Sequence, residues 1–146
     1  MMSSNRFHVR DATLADAEKI AALVTQLSYD TSVDDMKLRL ERLLPDPDHI
    51  MFVAEGFGDI VGLVAAHVGQ GLESNDPHAR ITGLVVDSHW RGSGIGRMLM
   101  QHMETCCRDR GAHSVILTSG NHRVGAHKFY QHIGYTGTGQ RFIKRL

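Results

Sequence analysis

The sequence predicts a mixed α+β domain, one sheet with helices covering its faces. Two stretches near the N-terminus repeat apolar residues at helical spacing, two apolar runs joined by a glycine-containing turn follow, and strand and helix then alternate towards the C-terminus. With 146 residues and 42% hydrophobic content, the chain has the size of one ordinary domain and enough apolar material for one core, so residues 1–146 are read as a single domain.

"FHVRDAT" begins as a short alternating strand, and Thr13 followed by Asp16 offers an N-cap with an acidic first turn to "LADAEKIAALVTQL". Ala17, Ile20, Ala21, Val24 and Leu27 recur there at helical spacing. A second helix carries Val33, Met36, Leu40, Leu43 and Leu44 on one face and stops at "PDPD", because proline cannot continue it. "HIMFVAEGFGDIVGLVAAHV" reads as a hairpin turning at Gly56 to Asp59. "GQGLESNDPH" is a polar connection and "ARITGLVVD" a central strand. Beyond the glycine run, Ile95, Met98, Leu99, Met103 and Cys106 mark a helix that Gly111 ends. "HSVILTS" reads as a strand, "VGAHKFYQHIG" as a helix closed by Gly134, and "QRFIKRL" as a last strand. The order is β-α-α-β-β-β-α-β-α-β.

Several function classes are disfavoured by bulk properties. Sixteen basic residues balance sixteen acidic ones, so the long-range field that draws a protein to nucleic acid or an anionic membrane is missing. Adjacent Cys106 and Cys107 would point about 100° apart on a helix, which suits neither an ordinary disulfide nor a four-ligand zinc site. Reduced structural thiols are expected. Ten histidines are scattered, the nearest approach to a ligand pair being His127 with His132, and no H-E-x-x-H occurs, so no metal is expected. "MMSSNRFHVRDA" lacks the apolar core of a signal peptide and no apolar run approaches the ~20 residues of a membrane span, which gives a cytoplasmic expectation.

The chemistry-bearing stretch is "HWRGSGIGRML", with Gly92, Gly94 and Gly96 at every second position. Amides at a helix N-terminus lack intrahelical partners and sit at the positive end of the dipole, and glycine lets a phosphate oxygen approach them. A Walker A loop would need Lys-Ser/Thr after Gly96, and neither is there. A dinucleotide fingerprint would need its third glycine where Arg97 stands and an acid where Val115 to Leu117 are apolar. A glycine-rich turn without a ligand is the remaining alternative.

"ITGLVVDSHWRGSGIGRMLMQHME" resembles the central signature of the GNAT superfamily of acyl-CoA-dependent N-acetyltransferases: an apolar strand, a short loop, then Arg/Gln-x-x-Gly-x-Gly/Ala opening a helix, here Arg91, Gly94 and Gly96. "SGNHRVGAHKFYQHIGY" resembles the family's following strand and helix. The resemblance covers nearly the whole chain. It implies a central, mostly antiparallel twisted sheet of about six to seven strands flanked by about four helices. It further implies acetyl-CoA as cosubstrate, without a metal, bound by Leu84, Val85 and Val86 on the strand, by Arg91, Gly92, Ser93, Gly94, Ile95, Gly96 and Arg97 in the loop and helix start, and by Asn121, Lys128 and Tyr130. Asn121 stands at the position that contacts the pantetheine arm, and Tyr130 at the tyrosine near the thioester sulfur.

Acetyl transfer to an amine requires a neutral nucleophile, a polarised carbonyl and a proton for the departing thiolate. A lysine-like amine has a pKa of ~10.4 and a thiol ~8.5, so near neutrality the first must lose a proton and the second benefits from gaining one. Tyr130, with an intrinsic pKa of ~10, is the candidate general acid; its alternative is a core aromatic beside Phe129. By resemblance, main-chain groups at Leu84 to Val86 polarise the carbonyl. Many relatives carry an acid two or three residues before the strand's Leu-x-Val, where Thr82 and Gly83 stand here, so the base is left open among Glu73, Asp76, His78 and His67. Tyr29 and Asp30, with Asp34 and Asp35, lie between the first two helices, a region that lines the acceptor entrance in the family; a solvated acidic helix start is the alternative.

The expected function is direct, ternary-complex transfer of acetyl to a primary amine, with a small-molecule acceptor. The alternatives are a non-catalytic acyl-CoA-binding or sensing module and an acetyltransferase acting on a protein or peptide amine. A nucleic-acid-binding role for Arg91, Arg97, Arg123, Lys128 and "RFIKRL" is disfavoured by the zero net charge and the lack of interleaved aromatics. No membrane partner is expected, and a homodimer is common in the family.

Overall fold

The computed structural model describes residues 6–119 and 124–146. The chain divides into two compact units, Met1–Ile116 and Leu117–Leu146. In the first, β1 (His8–Asp11), α1 (Ala17–Gln26), α2 (Val33–Leu43), β2 (His49–Gly56), β3 (Asp59–Gln70), β4 (Pro77–Val86) and α3 (Ile95–Asp109) follow in that order, and the second holds α4 (Val124–His132). The architecture is the expected α+β one. Four strands form one antiparallel sheet in the order β1-β2-β3-β4.

Alternation along the strands assigns the helices to faces. Val53, Leu63 and Val85 share a buried cluster with Ile20, Leu23, Met36 and Leu40 of α1 and α2. The neighbouring residue Gly62 faces the other way: a Cβ there would lie 2.9 Å from Leu99 Cδ1 and 3.2 Å from Ile95 Cγ2, so glycine is what lets α3 approach β3 this closely. Leu99 and Met103 are fully buried beneath α3, and truncating either to alanine would cost about 2–5 kcal/mol.

The predicted start of α1 is realised through a short 3-10 turn, Leu14–Asp16. Asp16 accepts from the Thr13 amide at 2.8 Å and from its hydroxyl at 3.2 Å. The same carboxylate takes a two-pronged contact from Arg10, both bonds at 2.9 Å, and Arg10 Nε reaches Glu55 on β2 at 2.6 Å. This network joins β1, β2 and the entrance of α1. The Arg10 hydrogen bonds hold the Asp16 carboxyl below the ordinary carboxylate range.

Two expected strands are not formed. Within "HSVILTS", Ile116 makes an isolated parallel bridge with Arg80, and no strand forms over this segment among the described residues. "QRFIKRL" lies within residues 136–146, which have no regular structure, and its Phe142, Ile143 and Leu146 are exposed. Strand propensity needs a ladder to act on, and the described residues offer these segments none beyond the bridge. Against the expected six to seven strands, the described residues form four. In addition, β3 and β4 run two residues each into the connection expected over 69–78, leaving 71–76 as the loop.

Candidate active site

The candidate site begins with a fault in β4. Register with β3 runs Ala66 to Ile81 and then Ala65 to Gly83, so Thr82 is an extra residue, a bulge. Before it, the far edge of β4 is occupied: Ile81 donates to the Ile116 carbonyl at 2.8 Å, and Ile116 donates to that of Ala79 at 3.0 Å. After it, Asp87 donates to the Val61 carbonyl on β3 at 2.8 Å. The two-residue alternation of an antiparallel ladder then turns the peptide groups of Val85 and Gly83 towards β3 and those of Leu84 and Val86 away from it. Within the first unit, no main-chain group pairs with that stretch of edge among the described residues.

Beyond β4 the chain makes a short 3-10 turn, Ser88–Trp90, capped by Asp87, whose carboxylate accepts from the His89 amide at 2.9 Å and contacts His89 Nδ1 at 3.2 Å. The His89 amide is the main reason the Asp87 carboxyl lies below its ordinary range. Trp90 stacks on Phe57 at 5.7 Å and meets Phe7 edge-on at 5.0 Å, which anchors the turn on the β2–β3 hairpin. Arg91 Nε donates to the Val86 carbonyl at 3.1 Å.

The glycine run leads from this turn into α3. Gly92 and Gly94 both have left-handed backbones, φ 81° and 86°, and Gly94 is the N-cap of α3. The first intrahelical bond is Met98 N to Gly94 O, so the amides of Ile95, Gly96 and Arg97 have no acceptor within the helix, and Gly94 has no side chain to provide one. Ser93 Oγ is turned inward, donating to the Trp90 carbonyl at 2.7 Å. Arg91 and Arg97 are exposed beside these amides, with the positive end of the α3 dipole behind them. Leu84 to Val86 and Arg91 to Arg97 thus form one continuous strand–turn–helix junction.

The other predicted residues fall elsewhere. Tyr29 and Asp30 lie exposed on the α1–α2 connection, after Ser28 at φ 73° and before the buried Thr31, whose hydroxyl donates to the Tyr29 carbonyl at 2.7 Å and accepts from Arg39 at 3.1 Å. Gln26, which no motif or spacing singles out, ends α1 and reaches Asp87 and Ser88. Asp87 had a readable signal, an Asp two residues before a turn amide it caps.

Among the base candidates, His67 is edge-on to His49 at 5.1 Å, and Asp76 lies 3.5 Å from His113. Glu73 Oε2 and the His78 Cβ flank the same side of Gly71. In the second unit, Tyr130 is half-buried on α4, ring to ring with Phe129 at 5.4 Å and Tyr135 at 6.0 Å, and Lys128 is exposed. The helix closes at Gly134, φ 101°, with the Tyr135 amide donating to the Tyr130 carbonyl at 2.9 Å. Asn121 and Arg123 lie outside the described residues.

A helix N-terminus whose first amides lack intrahelical acceptors is a general anion-binding geometry. The chain belongs to the acetyltransferase (GNAT) family, whose model matches residues 17–135. It is 31% identical over 140 residues to the aminoalkylphosphonate N-acetyltransferase of Salmonella typhimurium strain LT2, covering 94% of this chain and 90% of that one. It is 36% identical over 98 residues to N-acetyltransferase family 8 member 2 of Rattus norvegicus, which is 65% of this chain and 43% of that protein, so the chain spans less than half of that relative's length. The crystal structure of a GNAT family acetyltransferase from Staphylococcus aureus subsp. aureus USA300_TCH1516 matches with a TM-score of 0.82 at 26% identity, covering 99% of this chain and all of that one.

Proposed function

We propose that the protein is an acetyl-CoA-dependent N-acetyltransferase that moves the acetyl group to a small-molecule primary amine by direct transfer in a ternary complex, the whole chain acting as one catalytic domain. The observation that carries this reading is the unfilled first turn of α3 beside the open edge of β4. The amides of Ile95, Gly96 and Arg97 take the pyrophosphate of the coenzyme, and Arg91 and Arg97 balance its charge. The amides of Leu84 and Val86 lie on the edge along which the pantetheine arm runs and are the donors available to a thioester carbonyl as it gains charge.

In the reaction the amine nitrogen attacks the thioester carbon, the C–N bond forms and the C–S bond breaks. The amine's proton goes to a base, and the thiolate takes a proton. Tyr130 is proposed as the acid that supplies it, Asn121 as a contact of the pantetheine arm and Lys128 as a cation for the coenzyme; these roles rest on the resemblance of their sequence positions. No base is assigned, since Thr82 and Gly83 carry no carboxylate.

A small acceptor is supported by the Salmonella relative, whose name gives an aminoalkylphosphonate as its substrate. Tyr29 and Asp30 are proposed to line the acceptor entrance. No described helix is long and apolar enough to cross a membrane. A cytoplasmic location is part of the proposal, supported by the free thiols of Cys106 and Cys107. A homodimer is the proposed assembly, to be read by light scattering.

The test is titration calorimetry with CoA together with a thiol-release assay on acetyl-CoA across amino acids, polyamines, aminoglycosides, aminoalkylphosphonates and peptides. Binding with turnover on a small amine is expected. Binding without turnover on any acceptor would replace the enzyme with a sensing module, and turnover on peptides alone would move the acceptor class.

A further inference from the structure

Gln26 touches both sides of the peptide junction from which the coenzyme loop starts. Its Nε2 donates to Asp87 Oδ2 at 3.2 Å, and its Oε1 accepts from the Ser88 amide at 3.1 Å. Asp87 Oδ1 is meanwhile held by His89, so each carboxylate oxygen has its own donor. The root is tied to the sheet through the Asp87 amide and Val61, and to α1 through Gln26. From Ser88 a single 3-10 turn leads into Arg91 and the left-handed glycines.

We propose that Gln26 is a positioning residue for the coenzyme loop, setting where Gly92 to Gly96 present their amides from the end of the helix that leads into Tyr29 and Asp30. The inference rests on the reading of that loop as the site of the CoA pyrophosphate. Two arguments separate positioning from mere support of the fold. Gln26 and Ser88 are exposed, so water can replace either bond when the side chain is lost, and the folded state loses little. A phosphate-binding loop is sensitive to smaller changes, because its amides must point together before the ligand arrives, and any looseness is paid in affinity. The contact also keeps a carboxylate turned aside at the start of a loop that receives an anion. Since Tyr29 follows Gln26 by only three residues, the same carboxamide stands between the coenzyme loop and the proposed acceptor entrance.

The experiment is calorimetric titration of CoA into the full chain, with the thermal midpoint of the free protein measured beside it. Gln26→Ala should weaken CoA binding about three- to tenfold, leave the free midpoint nearly unchanged and shrink the stabilisation that CoA confers. Gln26→Glu keeps the length and the acceptor for Ser88 but loses the donor to Asp87 and sets a second carboxylate beside it, so it should weaken binding at least as much. Adding Asp87→Asn to Gln26→Glu rebuilds the pair with donor and acceptor exchanged, and should return affinity to within about twofold of wild type. Wild-type affinity in Gln26→Ala, or a double variant no tighter than Gln26→Glu, overturns the role of Gln26 alone. A wild-type chain that does not bind CoA overturns the coenzyme reading and this inference with it.

Discussion

Arg91 folds back onto the strand that precedes it, its Nε donating to the Val86 carbonyl at 3.1 Å. The bond occupies a carbonyl that the ladder turns towards the open edge, while the amides of Leu84 and Val86 keep their protons facing outward. An edge sorted in this way presents more donor than acceptor character near the glycine loop. That is the polarity a thioester carbonyl and a pyrophosphate require.

Gly94 is the position where the loop is most exposed to a single change. Its φ of 86° costs a residue with a side chain about 1–2 kcal/mol, and the proposed pyrophosphate site lies against the backbone it opens. Gly94→Val is expected to abolish measurable acetyl-CoA binding in a calorimetric titration while the protein still melts cooperatively. Unchanged affinity would remove the loop from the site.

Local chemistry made much of this legible in advance. Thr13 and Asp16 announce a helix start because a cap is satisfied within four residues, and Gly111 and Gly134 announce helix ends because each adopts φ > 0 there. The bulge at Thr82 could not be read in the same way, since it exists only in the register between β4 and β3. The Gln26 contact spans 61 residues to Asp87 and leaves no periodic trace. "QRFIKRL" shows the converse failure: its apolar content fits a strand, but a strand is defined by its neighbour. The base is undetermined for a related reason, because Glu73, Asp76, His78 and His67 are ordinary polar residues until a substrate gives one of them a proton to take.

Tyr130 carries the proposed acid step, and conservative removal of its hydroxyl separates that role from packing. Tyr130→Phe keeps the rings of Phe129 and Tyr135 in contact and is expected to lower kcat about 10²-fold with little change in the KM for acetyl-CoA. Steady-state rates on whichever amine the panel identifies provide the check. An unaltered kcat would make Tyr130 a packing residue.

Asp16 should make stability depend on acid pH. Its carboxyl is held low chiefly by the hydrogen bonds from Arg10, so the native state binds a proton less readily than the unfolded chain. The resulting stabilisation is complete above the unfolded carboxyl's pKa of ~3.9 and is lost as pH falls through the lower folded value. Asp16→Asn should cost about 2–4 kcal/mol in urea unfolding at pH 7, because it leaves Arg10 with one carboxylate and weakens the Thr13 cap. The gap between variant and wild type should narrow below about pH 3.5. A gap of constant size would locate the effect in packing instead of charge.

Cys107 bears on the order of the chemical steps. Burial beneath α3 pushes its thiol up to about 11, so at neutral pH almost none is thiolate, and the thiolate is the nucleophilic form. A covalent acetyl-cysteine is therefore not expected at this position, and double-reciprocal plots at several fixed amine concentrations should intersect. Iodoacetamide at pH 8 should modify the half-buried Cys106 first and reach Cys107 only when the protein unfolds, giving about one adduct per native chain and two per denatured chain by mass spectrometry. Parallel kinetic lines together with rapid native labelling of Cys107 would indicate a ping-pong route through that sulfur. Parallel lines with Cys107 protected would place any intermediate on a different nucleophile.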